Sequence, residues 1–198
     1  MILPAHTFVA SAVPFARTGA TVRWAKFAPL GCRGFDGGNP DGLYTAVPIA
    51  EYIAHANRET LVCIQLEEQH AIDLAEAIAA VPGVDVLMLG PADFSILSGI
   101  PGDFGHPMIL NAMTKIAAAA RKTGKHWARP ASNLEQARLA LELGARMIFH
   151  ISDLVIVKNG MERMQEQFAP LGFSFVNRLA NAPISSNSPV LSRESAFA

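Results

Sequence analysis

The sequence predicts an α/β fold built on a parallel β-sheet. From Leu61 onward, short apolar runs alternate with segments whose apolar residues recur at helical spacing, and this alternation repeats four times. Successive βαβ units with right-handed crossovers produce such a pattern. The composition agrees with a globular domain, because 51% of the 198 residues are hydrophobic and 17% are charged.

The first two strands are predicted within residues 61–90. The run LVCIQL (61–66) is almost continuously apolar, as expected of a strand covered on both faces, and it ends at Glu67. A helix is predicted over 70–81, and VDVLMLG (84–90) is a second buried strand. The apolar face of the helix consists of Ile72, Ala75, Ile78 and Ala79.

The third unit follows a segment rich in Gly and Pro, residues 90–107, which is predicted to be a loop. Apolar residues at helical spacing then predict a helix from about residue 109 to Gly124, where a glycine ends it. Residues 125–131 are the third predicted strand.

The fourth unit begins at Asn133, which is predicted to cap a helix that ends before Gly144. RMIFHI (146–151) is the fourth strand, and a last helix is predicted over 153–168. The predicted apolar stripe of the helix after Asn133 consists of Leu134, Ala137 and Leu141.

The two ends of the chain differ in composition. Residues 2–6 (ILPAH) are compatible with one more strand, whereas residues 173–198 are rich in Ser, Asn, Pro and Ala. Such a polar segment, interrupted by prolines, cannot bury enough apolar surface to fold. The predicted organisation is therefore a β/α body over 1–172 and a disordered tail over 173–198.

Charge and cysteine content disfavour several classes of function. The formal net charge is −1, with 16 Lys and Arg against 17 Asp and Glu and no basic run, so nucleic acid and anionic membranes are not expected partners. No apolar run reaches the length of a membrane span. The two cysteines fit a reducing compartment, which predicts a cytoplasmic protein.

Two carboxylates are the strongest indication of a functional site. Glu67 follows the first strand and Asp93 follows the second by three residues, so both should lie at the edge where parallel strands end. Neighbouring carboxylates repel unless a hard cation such as Mg²⁺ or Mn²⁺ neutralises them. The alternative is a solvated helix start at Glu67 and an N-cap at Asp93, and the pattern alone leaves both readings open.

The turn at 90–95 has two readings as well. Its backbone N–H groups are placed to bind an anion, but plain βα turns have the same composition. Other sites lack support in the sequence. The six histidines show no zinc-ligand spacing, no GxSxG motif is present, and the Gly-rich stretch 31–42 matches no nucleotide-binding motif.

Four segments in this order resemble the HpcH/HpaI aldolase/citrate lyase family. They are KFAPLGCRGFDG (26–37), IQLE (64–67), AIAAVPGVDVLMLGPADFS (77–95) and HPMILNAMTKIAAAARKTGK (106–125). The resemblance implies a TIM-type (β/α)₈ barrel of the phosphoenolpyruvate/pyruvate superfamily, present here as an incomplete barrel of about five βα units. It also implies a metal-dependent carbon–carbon lyase of the class II pyruvate aldolase type, acting on 2-oxo acids through a metal-stabilised enolate or decarboxylating oxaloacetate.

The resemblance assigns roles to four residues. It makes Glu67 and Asp93 the ligands of a divalent cation, Mg²⁺, Mn²⁺ or Co²⁺, and it places Gln65 beside the metal water. The backbone of Ala92 and Asp93 corresponds to the cradle for the carboxylate of pyruvate. The family also forms homo-oligomers, in particular hexamers, so self-association is expected.

The chain departs from the family pattern in two respects. The acid/base histidine and the substrate arginine of the family come from βα units that precede the strand resembled by 2–6, so the catalytic residues are unknown and an N-terminally truncated member is expected. Arg129 stands where the family tends to have a small or apolar residue. The alternative function is therefore a catalytically impaired fragment or pseudoenzyme that binds metal or a full-length relative.

Overall fold

The computed structural model describes residues 20–173, and their fold is α/β with one parallel sheet. Four strands lie side by side in chain order, as the alternating sequence pattern predicts. The strands are β1 (Cys63–Leu66), β2 (Val86–Leu89), β3 (His126–Pro130) and β4 (Met147–Phe149). All three pairings are parallel, which confirms the predicted class of fold.

Helices connect the strands and precede the sheet. They are α1 (Ala20–Ala25), α2 (Ile49–Glu59), α3 (Gln69–Asp73), α4 (Ala75–Ala79), α5 (Pro91–Leu97), α6 (Pro107–Thr123), α7 (Leu134–Glu142) and α8 (Asp153–Phe168). Short 3₁₀ segments occur at Pro40–Thr45 and Ala169–Leu171. Within the described part of the chain, no helix has the length and apolar character needed to cross a membrane.

The chain divides into two compact units, residues 1–151 and 152–198. The first contains the sheet. In the second, the side chain of Ser152 caps α8 by accepting a hydrogen bond from the backbone N–H of Val155. The helix runs over the predicted span, and its apolar side chains, including Leu154, Ile156 and Val157, are exposed.

The register of the sheet aligns the ends of β1 and β2. Leu66 pairs with Leu89, and the backbone N–H of Gly90 donates to the carbonyl of Leu66 at 2.9 Å. Because side chains alternate along a strand, Ile64 and Leu66 are buried on one face while Gln65 lies on the other. The residue that follows β1 is therefore on the same face as Gln65.

The hydrophobic core lies between the sheet and its helices. Helix α6 packs against β2, β3 and the α3 and α4 helices, and its apolar residues recur at helical spacing along the packed face. The largest fully buried side chains are Trp127, Phe94, Leu66, Ile72, Ile78, Leu87, Leu89, Ile109, Met113, Ile116, Val84 and Val86. The predicted apolar face of residues 70–81 is among the buried positions.

The predicted helix ends are confirmed at two positions. Gly124 adopts φ 69°, in the left-handed region where a glycine carries no steric penalty, and it ends α6. The side chain of Asn133 accepts a hydrogen bond from the backbone N–H of Gln136 at 2.9 Å, which caps α7.

The predicted loop at 90–107 is wrong in its first half, which forms α5. Pro91 occupies the first turn, where a missing N–H costs nothing, and Phe94 is buried. The hydroxyl of Ser95 donates to the carbonyl of Ala92 at 2.7 Å. Burial of Phe94 and this local hydrogen bond stabilise the helix, although the surrounding glycines and prolines predict a loop.

The predicted stripe of α7 is also wrong. Leu134 is 76% exposed and Leu141 is exposed as well, whereas Ala140 is buried with Leu139 and Leu143 partly buried beside it. Both sets of residues have helical spacing, so spacing alone could not distinguish them. Contact with the sheet selects the face that carries the small Ala140.

Two features differ from expectation elsewhere. Helix α2 was not predicted, although Tyr52 and Ala56 recur at helical spacing and are both buried. The helix predicted over 70–81 is divided at Leu74, where φ is −95° and ψ is 8°. The possible strand at 2–6 and the predicted tail, apart from Phe173, lie outside the described residues.

Truncating Ile116 should destabilise the core far more than truncating an exposed residue of the same helix. Ile116 is 0% exposed and Leu110 is 46% exposed, both on α6. We expect Ile116→Ala to lower the free energy of unfolding by about 2–5 kcal/mol and Leu110→Ala by less than about 1 kcal/mol. Urea denaturation followed by circular dichroism measures both, and equal losses would contradict this packing.

Candidate functional site

Glu67 and Asp93 are positioned by the ends of neighbouring strands. Glu67 follows β1 directly, and the register of the two strands places it beside Gly90, the residue that follows β2. Asp93 lies in the first turn of α5, which begins immediately after Gly90. The two carboxylates that the strand-end rule predicts to be close therefore reach the same edge of the sheet.

The two carboxylates are in contact. Burial, a hydrogen bond to Asp93 and the negative charge of Asp93 together raise the pKa of Glu67, in that order of size. The side-chain amide of Gln65 donates a hydrogen bond to Glu67 Oε1, and this bond lowers the pKa of Glu67. A proton shared between the carboxylates, or a cation, is needed to relieve their repulsion.

The donor set at this edge fits a hard divalent cation. Carboxylate oxygens are the ligands that Mg²⁺ and similar cations prefer, and such ions are commonly held by one or two carboxylates with water and substrate completing the sphere. Among residues 20–173, no group of three or more His, Cys, Asp or Glu side chains is placed to hold a metal. Glu67 and Asp93 are candidate ligands for such an ion, and they would leave its other positions to small molecules.

Gly90 is required by the close approach of two side chains. A Cβ atom at this position would lie 2.7 Å from Glu67 Cγ and 2.8 Å from Gln65 Nε2. The backbone φ of Gly90 is −93°, which any residue can adopt, so space and not backbone conformation demands glycine here. The absent side chain lets Gln65 and Glu67 fold over the start of α5.

A cavity of about 270 Å³ opens beside these groups. Its wall contains three of the predicted site residues, Gln65, Ala92 and Asp93, and Glu67 contacts two of these, Gln65 and Asp93. The complete lining is Gln65, Met88, Gly90, Pro91, Ala92, Asp93, Phe104, Arg129, Pro130, Ser132 and Gln136. The volume suits a small organic acid better than a drug-sized ligand.

The buried hydroxyl of Ser95 fixes one side of the cavity. It donates to the carbonyl of Ala92 and accepts from the backbone N–H of Gly102 at 3.0 Å. These two bonds tie the start of α5 to the loop that leads to Phe104. Ser95 is thus a structural group, in agreement with the absence of a nucleophile motif around it.

The sequence assigned no role to the lining residues Phe104 and Gln136, and it singled out Arg129 only as a departure from the family pattern. Gln136 accepts hydrogen bonds from the backbone N–H and the hydroxyl of Ser132, so it shapes the loop after β3. Arg129 is buried, and burial lowers the pKa of its guanidinium. Its position near the end of β3 is the signal that could have identified it, since the same strand-end rule selects Glu67.

Comparison with protein families gives a match over most of the chain. Residues 16–156 match the family described as HpcH/HpaI aldolase/citrate lyase. The chain is 32% identical over 160 residues to a 5-keto-4-deoxy-D-glucarate aldolase of Klebsiella pneumoniae, an alignment that covers 79% of this chain and 62% of that protein. The chain thus spans about three fifths of the length of this curated relative.

Solved structures give the same result for the fold. An HpcH/HpaI aldolase from Desulfitobacterium hafniense superposes with a TM-score of 0.66 and 29% identity, covering 80% of this chain and 61% of that one. Macrophomate synthase superposes with a TM-score of 0.58 and 26% identity, covering 82% of this chain and 57% of that one. The predicted resemblance and the partial (β/α) architecture are confirmed.

Adding a methyl group at Gly90 should disrupt the contact between Gln65 and Glu67. We expect Gly90→Ala to lower the free energy of unfolding by about 1–3 kcal/mol, because the side chains of Gln65 and Glu67 must move away from the added methyl group. Gly105→Ala is the matched control, since its Cβ would meet only Asp103 Oδ1 at 3.7 Å. Chemical denaturation of both variants measures the difference, and equal stabilities would contradict the close approach.

Metal-free protein should lose stability as the pH rises above the ordinary pKa of a glutamate, about 4.3. The pKa of Glu67 is raised in the folded state, so between the two values the unfolded chain releases a proton that the folded chain retains. This loss should be complete once the pH exceeds the raised value. Denaturation in EDTA across the acid and neutral range measures it.

Glu67→Gln should remove this pH-dependent loss, and Glu68→Gln should preserve it. Glu68 is the adjacent, exposed carboxylate, so it controls for a change of net charge at the same place in the chain. A parent protein whose stability rises with pH through this window, or a Glu67→Gln variant with the parent's profile, would contradict the contact between Glu67 and Asp93.

Proposed function

Because the chain belongs to the HpcH/HpaI aldolase/citrate lyase family, we propose that it is a metal-dependent carbon–carbon lyase acting on 2-oxo acids. The observation that carries the proposal is the contact between Glu67 and Asp93 at the ends of adjacent parallel strands. The reaction is of the class II pyruvate aldolase type, with decarboxylation of oxaloacetate as a related activity. Mg²⁺ or Mn²⁺ is the proposed cofactor, and Co²⁺ has the same ligand requirements.

When bound, the cation would supply Lewis-acid stabilisation of the negative charge that develops on the oxygen of a 2-oxo acid. The residues of the chain perform the positioning. Glu67 and Asp93 would hold the cation, and the hydrogen bond from Gln65 fixes the orientation of the Glu67 carboxylate. Gly90 leaves the space in which these side chains meet.

The substrate would lie in the cavity beside Asp93. The backbone of Ala92 and Asp93 is proposed to bind its carboxylate, and Gln65 faces the same space. Phe104 contributes an apolar side chain to the lining of the cavity. The Klebsiella relative is named for a keto-deoxy sugar acid, which supports a substrate with a 2-oxo acid group and a polar carbon chain.

The acid/base group of the reaction has no candidate in the cavity. None of the described residues that line it is a histidine, and the carboxylates are assigned to the cation. This favours a second candidate function, in which the chain is a catalytically impaired fragment or pseudoenzyme that binds metal or a full-length relative.

We also propose an assembly state and a location for the protein. The exposed Leu154, Ile156 and Val157 of α8 support a homo-oligomer, because exposed apolar residues in one element commonly mark a contact surface. A cytoplasmic location is proposed from the cysteine content. The proposed domains remain a partial barrel over 1–172 and a tail over 173–198.

Removing either carboxylate should weaken binding of a divalent cation. We expect Glu67→Gln and Asp93→Asn each to raise the Kd for Mn²⁺ by at least about tenfold, the lower end of the effect of losing even an outer-shell group at a metal site. Isothermal titration calorimetry with Mn²⁺ measures the affinity. Glu68→Gln is the control, because it removes an adjacent exposed carboxylate and should bind as the parent does.

The lyase and its alternative are separated by following oxaloacetate loss in the same samples. A rate that requires Mg²⁺ or Mn²⁺ and falls in both variants supports the enzyme. Tight Mn²⁺ binding without any metal-dependent rate supports the impaired fragment. Equal Mn²⁺ affinity in the parent, Glu67→Gln and Asp93→Asn would contradict both, since both require this metal site.

A further inference from the structure

Arg129 is a buried charge without a matching negative group. Its side chain lies near the end of β3 and is 2% exposed. Among the residues that the structure describes, no carboxylate lies within ion-pair distance of its guanidinium. A buried, unpaired charge is strongly unfavourable, so arginines that are this deeply buried are normally paired.

The contacts that Arg129 does make are weak or neutral. Its Nε donates to the backbone carbonyl of Pro130 at 2.8 Å, and its Nη1 donates to Met113 Sδ at 2.9 Å. A thioether sulfur is a poor acceptor and carries no charge. These two contacts orient the guanidinium, but they do not neutralise it.

The remaining amino group of Arg129 is available to a ligand. Nη2 makes no hydrogen bond with any described residue, yet no buried side-chain nitrogen or oxygen of the described residues lacks a hydrogen-bond partner. Nη2 therefore keeps some contact with solvent. Since Arg129 is part of the cavity wall that also contains Asp93, a small molecule in that cavity can reach it.

We propose that Arg129 is the cationic recognition residue for a carboxylate-bearing ligand in this cavity, where it would pair with the same carboxylate that the backbone of Ala92 and Asp93 is proposed to bind. The proposal rests on the proposed function only for the class of ligand, an organic acid. A guanidinium presents its N–H groups in a planar fork that matches the two oxygens of a carboxylate, and such charge-assisted hydrogen bonds are strong where water is excluded. Pairing with the ligand would supply the negative charge that the protein does not provide.

The location of Arg129 makes it a specificity-determining residue and not a metal ligand. The cation is assigned to Glu67 and Asp93, which follow β1 and β2, whereas Arg129 belongs to β3 on the other side of β2. A carboxylate bound between these groups would meet the cation on one side and the guanidinium on the other. An uncharged ligand of the same shape would leave the guanidinium unpaired.

The test compares pyruvate with methyl pyruvate, an ester of similar shape without the charge, in buffer that contains EDTA. The proteins are the parent, Arg129→Met, Arg129→Lys and the control Arg138→Met, which removes an exposed arginine of α7. Calorimetry should show a Kd for pyruvate that rises about 10–100-fold in Arg129→Met and is unchanged in Arg138→Met. Arg129→Lys should lie between them, because it keeps the charge and loses the fork. Methyl pyruvate should bind all four proteins with the same weak affinity.

Thermal unfolding without ligand provides a second readout. Methionine at position 129 removes the unpaired charge and retains an apolar chain beside Met113, so Arg129→Met should unfold at the same temperature as the parent or higher. A cooperative transition at a lower temperature would mean that contacts within the folded protein already stabilise the charged Arg129 side chain, which overturns the proposal. Absence of pyruvate binding by the parent, or parent-like binding by Arg129→Met, would also overturn it.

Measuring Mn²⁺ affinity distinguishes failure of the Arg129 proposal from failure of the proposed metal site. Mn²⁺ affinity, measured without an organic acid, should not weaken in Arg129→Met, because this residue is not a ligand of the cation. Loss of pyruvate binding in Arg129→Met together with unchanged Mn²⁺ affinity in Glu67→Gln would support the arginine and reject the metal site. Parent-like pyruvate binding by Arg129→Met together with weakened Mn²⁺ affinity in Glu67→Gln would reject the arginine alone.

Discussion

The site depends on the in-register parallel pairing of β1 with β2. Leu66 lies opposite Leu89, so the residues that follow, Glu67 and Gly90, become neighbours at the edge of the sheet. A slip of one residue would turn Glu67 toward the helical layer and Leu66 toward the cavity, because side chains alternate between the two faces. The buried positions of Ile64 and Leu66 prevent that slip. The hydrophobic core thereby determines where a carboxylate stands.

Much of the fold could be predicted because the strands and the helix ends depend on residues that are close together in the sequence. Continuous apolar runs identify buried strands, and an asparagine or a glycine at a helix end acts on the backbone directly, as at Asn133 and Gly124. The buried face of α7 could not be predicted, since Leu134 and Ala140 both fit a helical period and only the sheet decides between them. Helix α5 was missed for a related reason. Its stability comes from burial of Phe94 in the core, which the local composition does not reveal.

The candidate site could be predicted in part for the same reasons. The strand-end rule draws attention to Glu67 and Asp93, although position alone leaves a helix start and an N-cap as the alternative, and only the family resemblance adds Gln65. The rule also applies to Arg129, but the feature that suggests a role for Arg129 is the absence of a carboxylate beside it among the described residues. That an arginine is buried without a carboxylate is a property of all its neighbours together, and they come from distant parts of the chain, Met113 among them. Such a property emerges only when the chain is folded.

The charges around the cavity form a consistent set. Glu67 and Asp93 repel each other, and Arg129 is desolvated, so each group is unfavourable as it stands. Among the described residues, no ion pair joins the arginine to the two carboxylates. A single divalent cation and a single carboxylate anion, bound together, bring the formal charge of this group to zero. The cation would relieve the repulsion on one side, and the anion would pair with the guanidinium on the other. The two proposed ligands are therefore complementary to the protein and to each other, and a chelating 2-oxo acid satisfies both requirements in one molecule.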